Sequence, residues 1–291
     1  MWRTRSTFRL CARGSVLLPI LCMATVLSAG AQSQVNLAPK PGACEPKVVN
    51  DAMEVASLGA FEAEVPADLK NVVAAMDAAR RLPPAVRQEV LQALEQAFEP
   101  TALDDEFRRG LRSHCEPKIF AVAIAQLKTP LGVKMRSLED SMLTPQGRSA
   151  FLSYARNMQQ HPPTPKREAL LNRMEDAMHD ADFLADMNAE EARAMFIGLS
   201  GKSASDAETQ ALREKMMPGM QQAQRTSQLF AYRTATDEEL EQYIVLLEGA
   251  EMRRFFTVIK SVMENGMIRR SEVAAAILQQ TVANSRSGRP Q

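Results

Sequence analysis

Between Asp51 and about Gln280 the chain holds no sustained alternation of polar and apolar residues and no strand-length cluster of Val, Ile, Thr and Tyr. Ala, Leu, Met, Glu, Gln and Arg dominate instead. A half-buried strand needs a period of two, so a stretch of this kind offers helical faces only. The fold class expected is therefore all-α, a helical bundle. Start signals are frequent. Thr236-Asp-Glu-Glu239 reads as a capping box, Asn188 and Ser205 each stand three residues before a Glu, and Thr144-Pro145 sets a cap ahead of a proline at the first helical position. Breaks fall at Leu82–Pro84, Glu99–Thr101, His161–Pro165, Gly198–Ser205 and Tyr232–Asp237. Together these signals predict about eight or nine helices, many joined by short turns.

The first residues read differently. Arg3, Arg5, Arg9 and Arg13 precede the apolar run SVLLPILCMATVL, which ends at a small-x-small site, Ala29-Gly30-Ala31. That order describes a secretory signal peptide over 1–31, cleaved after Ala31. The run is too short to span a bilayer comfortably, and no later apolar run reaches that length. Removing four Arg changes the charge balance of the whole chain, 35 basic against 35 acidic, to 31 against 35. A net charge of −4 argues against a nucleic-acid binder, which should carry a basic patch or stripe. Residues 32–48 and 283–291 are expected to be disordered tails around one helical domain over 49–282.

Two cysteines survive cleavage, Cys44 and Cys115, each in the tetrapeptide CEPK. In an oxidising compartment an isolated pair is most simply a disulfide. Neither lies in a Cys-x-x-Cys arrangement, which is how a redox-active pair would be poised.

One pattern occurs twice, over about 101–142 and 221–262. Leu131, Met135, Leu138 and Met142 line one helical face, as do Met252, Phe255, Ile259 and Val262. Before each stripe stands another apolar segment, with Ile124 and Leu127 in the first copy and Ile244 and Leu247 in the second, a constant offset of 120. A small-residue break, KTPLG or EGAEM, separates the arms. Each copy reads as an antiparallel helical hairpin, and two hairpins would share one core. Generic amphipathic helices would give a similar pattern, since apolar periodicity alone is common.

The segment ATDEELEQYIVLLEGAEMRRFF also resembles a bacterial exported helical family, domain of unknown function 2059. Thr236, Glu238, Glu239, Leu240, Tyr243, Arg254 and Phe255 carry the likeness, while Met252 stands where that pattern has glycine. The first copy keeps Pro130, Gly132 and Lys134 but lacks the acidic cap. The resemblance implies export and an all-helical fold, and it implies no reaction.

Candidate chemistry is sparse. Glu175, His179, Asp182 and Asp186 fall at i, i+4, i+7 and i+11, one polar stripe if the helix is continuous. A histidine among three carboxylates suits a divalent metal or a proton-transfer pair. The same residues equally suit the solvated flank of an amphipathic helix, because Leu170, Met174, Ala177, Ala181 and Leu184 occupy the neighbouring arc. Met216, Met217 and Met220 could bind Cu(I) through clustered thioethers, or serve as adaptable packing. GLSGKS is no phosphate loop, since Phe196 stands where the first glycine is required. The sequence predicts an exported, soluble, all-α protein of the bacterial periplasm without catalysis or cofactor, binding another envelope protein or serving as a scaffold. The alternative is a small-ligand or metal-binding protein using the His179 stripe or the Met216 cluster.

Overall fold

The computed structural model describes residues 44–78, 84–158 and 162–287. Twelve helices run through them: α1 (Pro46–Val55), α2 (Leu58–Ala78), α3 (Pro84–Ala97), α4 (Pro100–His114), α5 (Pro117–Leu127), α6 (Pro130–Ser141), α7 (Pro145–Asn157), α8 (Pro165–Met178), α9 (Asp180–Ser200), α10 (Asp206–Ala231), α11 (Asp237–Leu247) and α12 (Ala250–Ser287). No strand occurs among the described residues, so the fold is all-α. The helix count, about twelve, exceeds the eight or nine expected.

Two of the additional boundaries are backbone corners without a glycine or proline. Ser57, between α1 and α2, and His179, between α8 and α9, have φ of 48° and 52°. Left-handed backbone is uncommon for residues with a side chain, so the sequence pattern runs unbroken through both corners. One expected boundary disappears. Asn188 does not cap a helix; it lies inside α9, fully buried, with its amide donating to the Leu184 carbonyl at 2.7 Å. All of 187–192 is buried there, where α9 packs against both α10 and α12.

The remaining start signals work as their chemistry requires. Seven helices, α1 and α3 to α8, begin with proline, where its missing N–H costs nothing. Thr129, Thr144 and Thr164 accept from the backbone N–H of Gly132, Gly147 and Arg167. Both capping boxes, at Ser205 and Thr236, are closed. Helix α1 begins at Pro46 and α12 continues to Ser287. The expected signal peptide, its cleavage site and residues 32–43 lie outside the described residues.

Cys44 and Cys115 form a disulfide with their Cα atoms 5.8 Å apart. It fastens the start of α1 to the junction of α4 and α5.

The spine of the core is α12, which contacts α9, α3, α4 and α5. No proline interrupts its 38 residues. Met252, Phe255, Val258, Ile259, Val262 and Met267 form its buried face, so the second expected stripe is buried in full. In the first stripe Met135 is fully buried, while Leu131, Leu138 and Met142 pack against the core half-buried.

The bounds of α5 and α11 differ by 120 residues at both ends, and α6 and α12 start 120 residues apart. Phe120, Ala123, Ile124 and Leu127 are buried in α5; Leu240, Tyr243, Ile244 and Leu247, each 120 later, are buried in α11. The two helix pairs contact one another crosswise, α5 against α12 and α6 against α11. Phe120 meets Phe255 edge-on at 5.0 Å. Arg254 of α12 pairs with Glu116 at the start of α5 at 2.6 Å, and Lys134 of α6 pairs with Glu239 in the first turn of α11. Lys134 and Arg254 are themselves 120 apart, so each pair joins one hairpin's second arm to the other's first.

The α5–α6 turn needs its glycine. A Cβ on Gly132 would lie 2.5 Å from the Leu127 carbonyl oxygen and 2.8 Å from that of Gln126, and backbone atoms cannot swing aside. In the second hairpin the small residue of the turn is Gly249, which leaves position 252 free for the buried Met252. Gly132→Ala is expected to cost about 2 kcal/mol, read as a lower urea midpoint at unchanged slope. An unchanged midpoint would show that the turn is not this tight.

Candidate functional site

The expected His179 stripe does not lie on one helix. Glu175 belongs to α8, His179 is the left-handed corner, and Asp182 and Asp186 belong to α9. The break redirects each side chain. Glu175 accepts from the Ala181 backbone N–H at 2.7 Å, capping the start of α9 from the preceding helix. Asp182 and Asp186 are both bound by Arg213 of α10, the first at 2.8 Å. His179 stays largely exposed, its Nδ1 3.8 Å from Asp182. Among the described residues no group of three or more His, Cys, Asp or Glu side chains is arranged to hold a metal ion.

The methionines pack. Met216 and Met220 are buried with Ala181 and Ala185 in a small cluster between α10 and α9, and Met217 lies half-buried against it. Their thioethers fill the seam left by two alanines, a use that suits an unbranched, adaptable side chain.

The most developed polar constellation was not anticipated from the sequence. Glu139 of α6 receives two phenols on one oxygen, Tyr232 at 2.5 Å from the end of α10 and Tyr243 at 3.1 Å from α11. Both tyrosines are almost wholly buried, and their rings lie 6.2 Å apart. Beside them, Asp180 binds Lys260 of α12 at 2.6 Å and Gln224 of α10 at 3.1 Å. Lys260 also donates to the Met178 carbonyl at the His179 corner. Gln228 reaches the second oxygen of Glu175 at 3.4 Å. Six helices, α6 and α8 to α12, thus meet through three carboxylates that already carry donors.

Burial pushes the Glu139 carboxyl above its usual range, and the Tyr232 hydrogen bond and the Arg136 guanidinium only partly oppose it. Burial, with the Glu139 charge beside them, raises both phenols well above the usual tyrosine range. Both therefore remain protonated donors at any physiological pH. The phenols and the carboxylate oxygen they share satisfy one another. The arrangement fixes α6 against α10 and α11. The signal that marks it lies in the common offset of the two helix pairs, because Glu139 falls 120 residues before the buried Ile259. A carboxylate in an apolar register calls for donors, and two of the three tyrosines of the chain supply them.

No described helix is long and apolar enough to cross a membrane. No family model matches the chain, and no curated protein or solved structure matches it.

Proposed function

We propose that this protein is exported to the bacterial periplasm, loses residues 1–31, and acts there by binding another envelope protein rather than by catalysis. The two hairpins are copies of one unit, as their common offset, buried positions and reciprocal ion pairs support, and the likeness to an exported helical family belongs to the same reading. The disulfide supports export, because such bonds persist in oxidising compartments. The observation that carries the binding role is the placement of exposed large hydrophobics. Of five among the described residues, Val122, Val133 and Val245 lie on α5, α6 and α11 of the hairpins, exposed by 43%, 55% and 57%. The three carboxylates singled out by sequence, Glu175, Asp182 and Asp186, are meanwhile occupied by helix capping or by Arg213.

Photo-crosslinking in the cell envelope tests this. A photoreactive residue at position 122 or 245 is expected to give one discrete heavier adduct, whereas position 273, on α12 outside the hairpins, gives none. Adducts at 273 alone, or none at either hairpin position, would overturn the reading. Copper or zinc retained by the purified protein would favour the metal-binding alternative, for which the separated His179 group and the buried methionines offer no support.

A further inference from the structure

The buried face of α2 is apolar with one exception. Leu58, Glu62, Val65, Leu69 and Val73 share one side of the helix and all are buried, Glu62 with only 7% of its surface exposed. Its Oε1 is sealed from solvent and has no hydrogen-bond partner among the described residues. The same turn is the weak point of the helix backbone. Pro66 lies inside α2 four residues after Glu62, so the Glu62 carbonyl lacks the N–H that an α-helix supplies. The contact of Phe61 with Phe107, 6.2 Å between ring centroids, sets this turn against α4. The cation that adjoins Phe107, Arg108, is committed elsewhere: it donates to Asp104 and to Asn50 of α1, each at 2.6 Å. The other helices packed on α2 are α1 and α3. On α1, Asp51 is held by Lys47 and by Lys128, which also lies 3.7 Å from Glu54. On α3 the charged groups are Arg87, Glu89 and Glu95, the last paired with Lys70 at 3.0 Å. Glu64, beside Glu62 on α2, takes Arg148 of α7.

We propose that the Glu62–Pro66 turn of α2 is a proton-operated hinge, seated against α4 while the Glu62 carboxyl is neutral and released from it when that carboxyl ionises. A carboxylate closed off from water without a donor is costly, and neutralisation is the cheaper state while the turn stays seated. Once charged, the group gains hydration by release, and the backbone bond missing at Pro66 makes this the turn that yields. Burial first, then Asp104, against the opposing Arg108, raise the carboxyl from 4.5 to about 7. The seated turn therefore binds the proton more tightly than the released one. Its stabilisation is complete below about pH 4.5 and is lost as the pH rises through about 7.

The measurement must be local, because other acids of the domain titrate as well. Hydrogen exchange of the intact protein, corrected for the intrinsic rate, is followed in peptides of α2 and, for comparison, of α11 at about pH 6 and about pH 8.5. Opening of α2 in the wild type is expected to rise about tenfold more than that of α11 across the interval, from the two proton affinities. Glu62→Leu, which continues the apolar stripe, should fold and lose this rise. Glu62→Gln, neutral but still polar, should lose it too. Pro66→Ala restores the missing N–H and should slow the opening of α2 at both pH values while the rise remains. A wild-type α2 that responds to pH no more than α11, or a rise undiminished in Glu62→Leu, overturns the proton control. Opening that is unchanged or faster in Pro66→Ala overturns the hinge.

Discussion

Phe255→Ala is expected to destabilise the protein by about 4 kcal/mol, a large fraction of the roughly 5–15 kcal/mol that holds an ordinary domain together. Phe255 is fully buried on α12, edge-on to Phe120 of the other hairpin at 5.0 Å and to Phe256 at 5.3 Å. Truncation removes the transfer energy of the ring and leaves a hole whose walls belong to two hairpins. Those walls cannot close easily, because Arg254 with Glu116 and Lys134 with Glu239 hold the hairpins in register on either side. Phe256, half-buried at the edge of the same group, supplies the internal comparison, and its alanine variant should cost less than half as much. Urea denaturation followed by helical circular dichroism measures both. A loss under about 1 kcal/mol for Phe255 would mean that the cavity collapses freely and that the hairpins are not joined through this ring.

That ring was visible in the sequence as one member of a stripe, and the reason is that helix burial repeats at a spacing the chain must spell out. The same holds for the capped starts at Thr144, Ser205 and Thr236, where a side-chain acceptor and its N–H partner lie three residues apart. What is local is legible. Asn188 shows the limit. It has the composition of a cap, with Glu191 three residues on, yet α10 and α12 cover that turn, and the buried amide is satisfied by the Leu184 carbonyl of its own helix. Tertiary burial decided between two local options that the sequence leaves equal.

The candidate site was less legible for the same reason. The His179 stripe depends on an unbroken helix, and a single left-handed residue divides it, turning Glu175 into a cap for the helix that carries Asp182. Histidine is among the residues enriched in that conformation, but it remains uncommon there, so one histidine inside a helical pattern does not announce a corner. The Glu139 group assembles residues 93 and 104 positions apart, so nothing in local spacing announces it. Only the comparison of Glu139 with Ile259, 120 residues on, exposes a polar residue in an apolar register.

Removing the tie between Cys44 and Cys115, by changing both to alanine, is expected to lower stability by about 4 kcal/mol in the chain-entropy model. The bond spans 71 residues, and its loop holds α1 to α4. In the native state α1 is already placed by noncovalent contact, burying Val49, Ala52, Met53 and Val55 against neighbours that include α5, α4 and α2. The variant should therefore keep its helical signal while its denaturation midpoint falls. Hydrogen exchange separates two explanations of the loss. If the bond acts by restricting the unfolded chain, α1 stays as protected as its neighbours until the whole domain unfolds. If it instead holds α1 in place, α1 exchanges by itself well before the core does. Burial of both sulfurs, with 5% and 3% of each residue exposed, adds a kinetic expectation. A mild reductant should leave the folded protein oxidised and act only as it unfolds, so reduction rate should track denaturant concentration. Rapid reduction of the native protein, with no change in midpoint, would show that the link is neither sheltered nor stabilising.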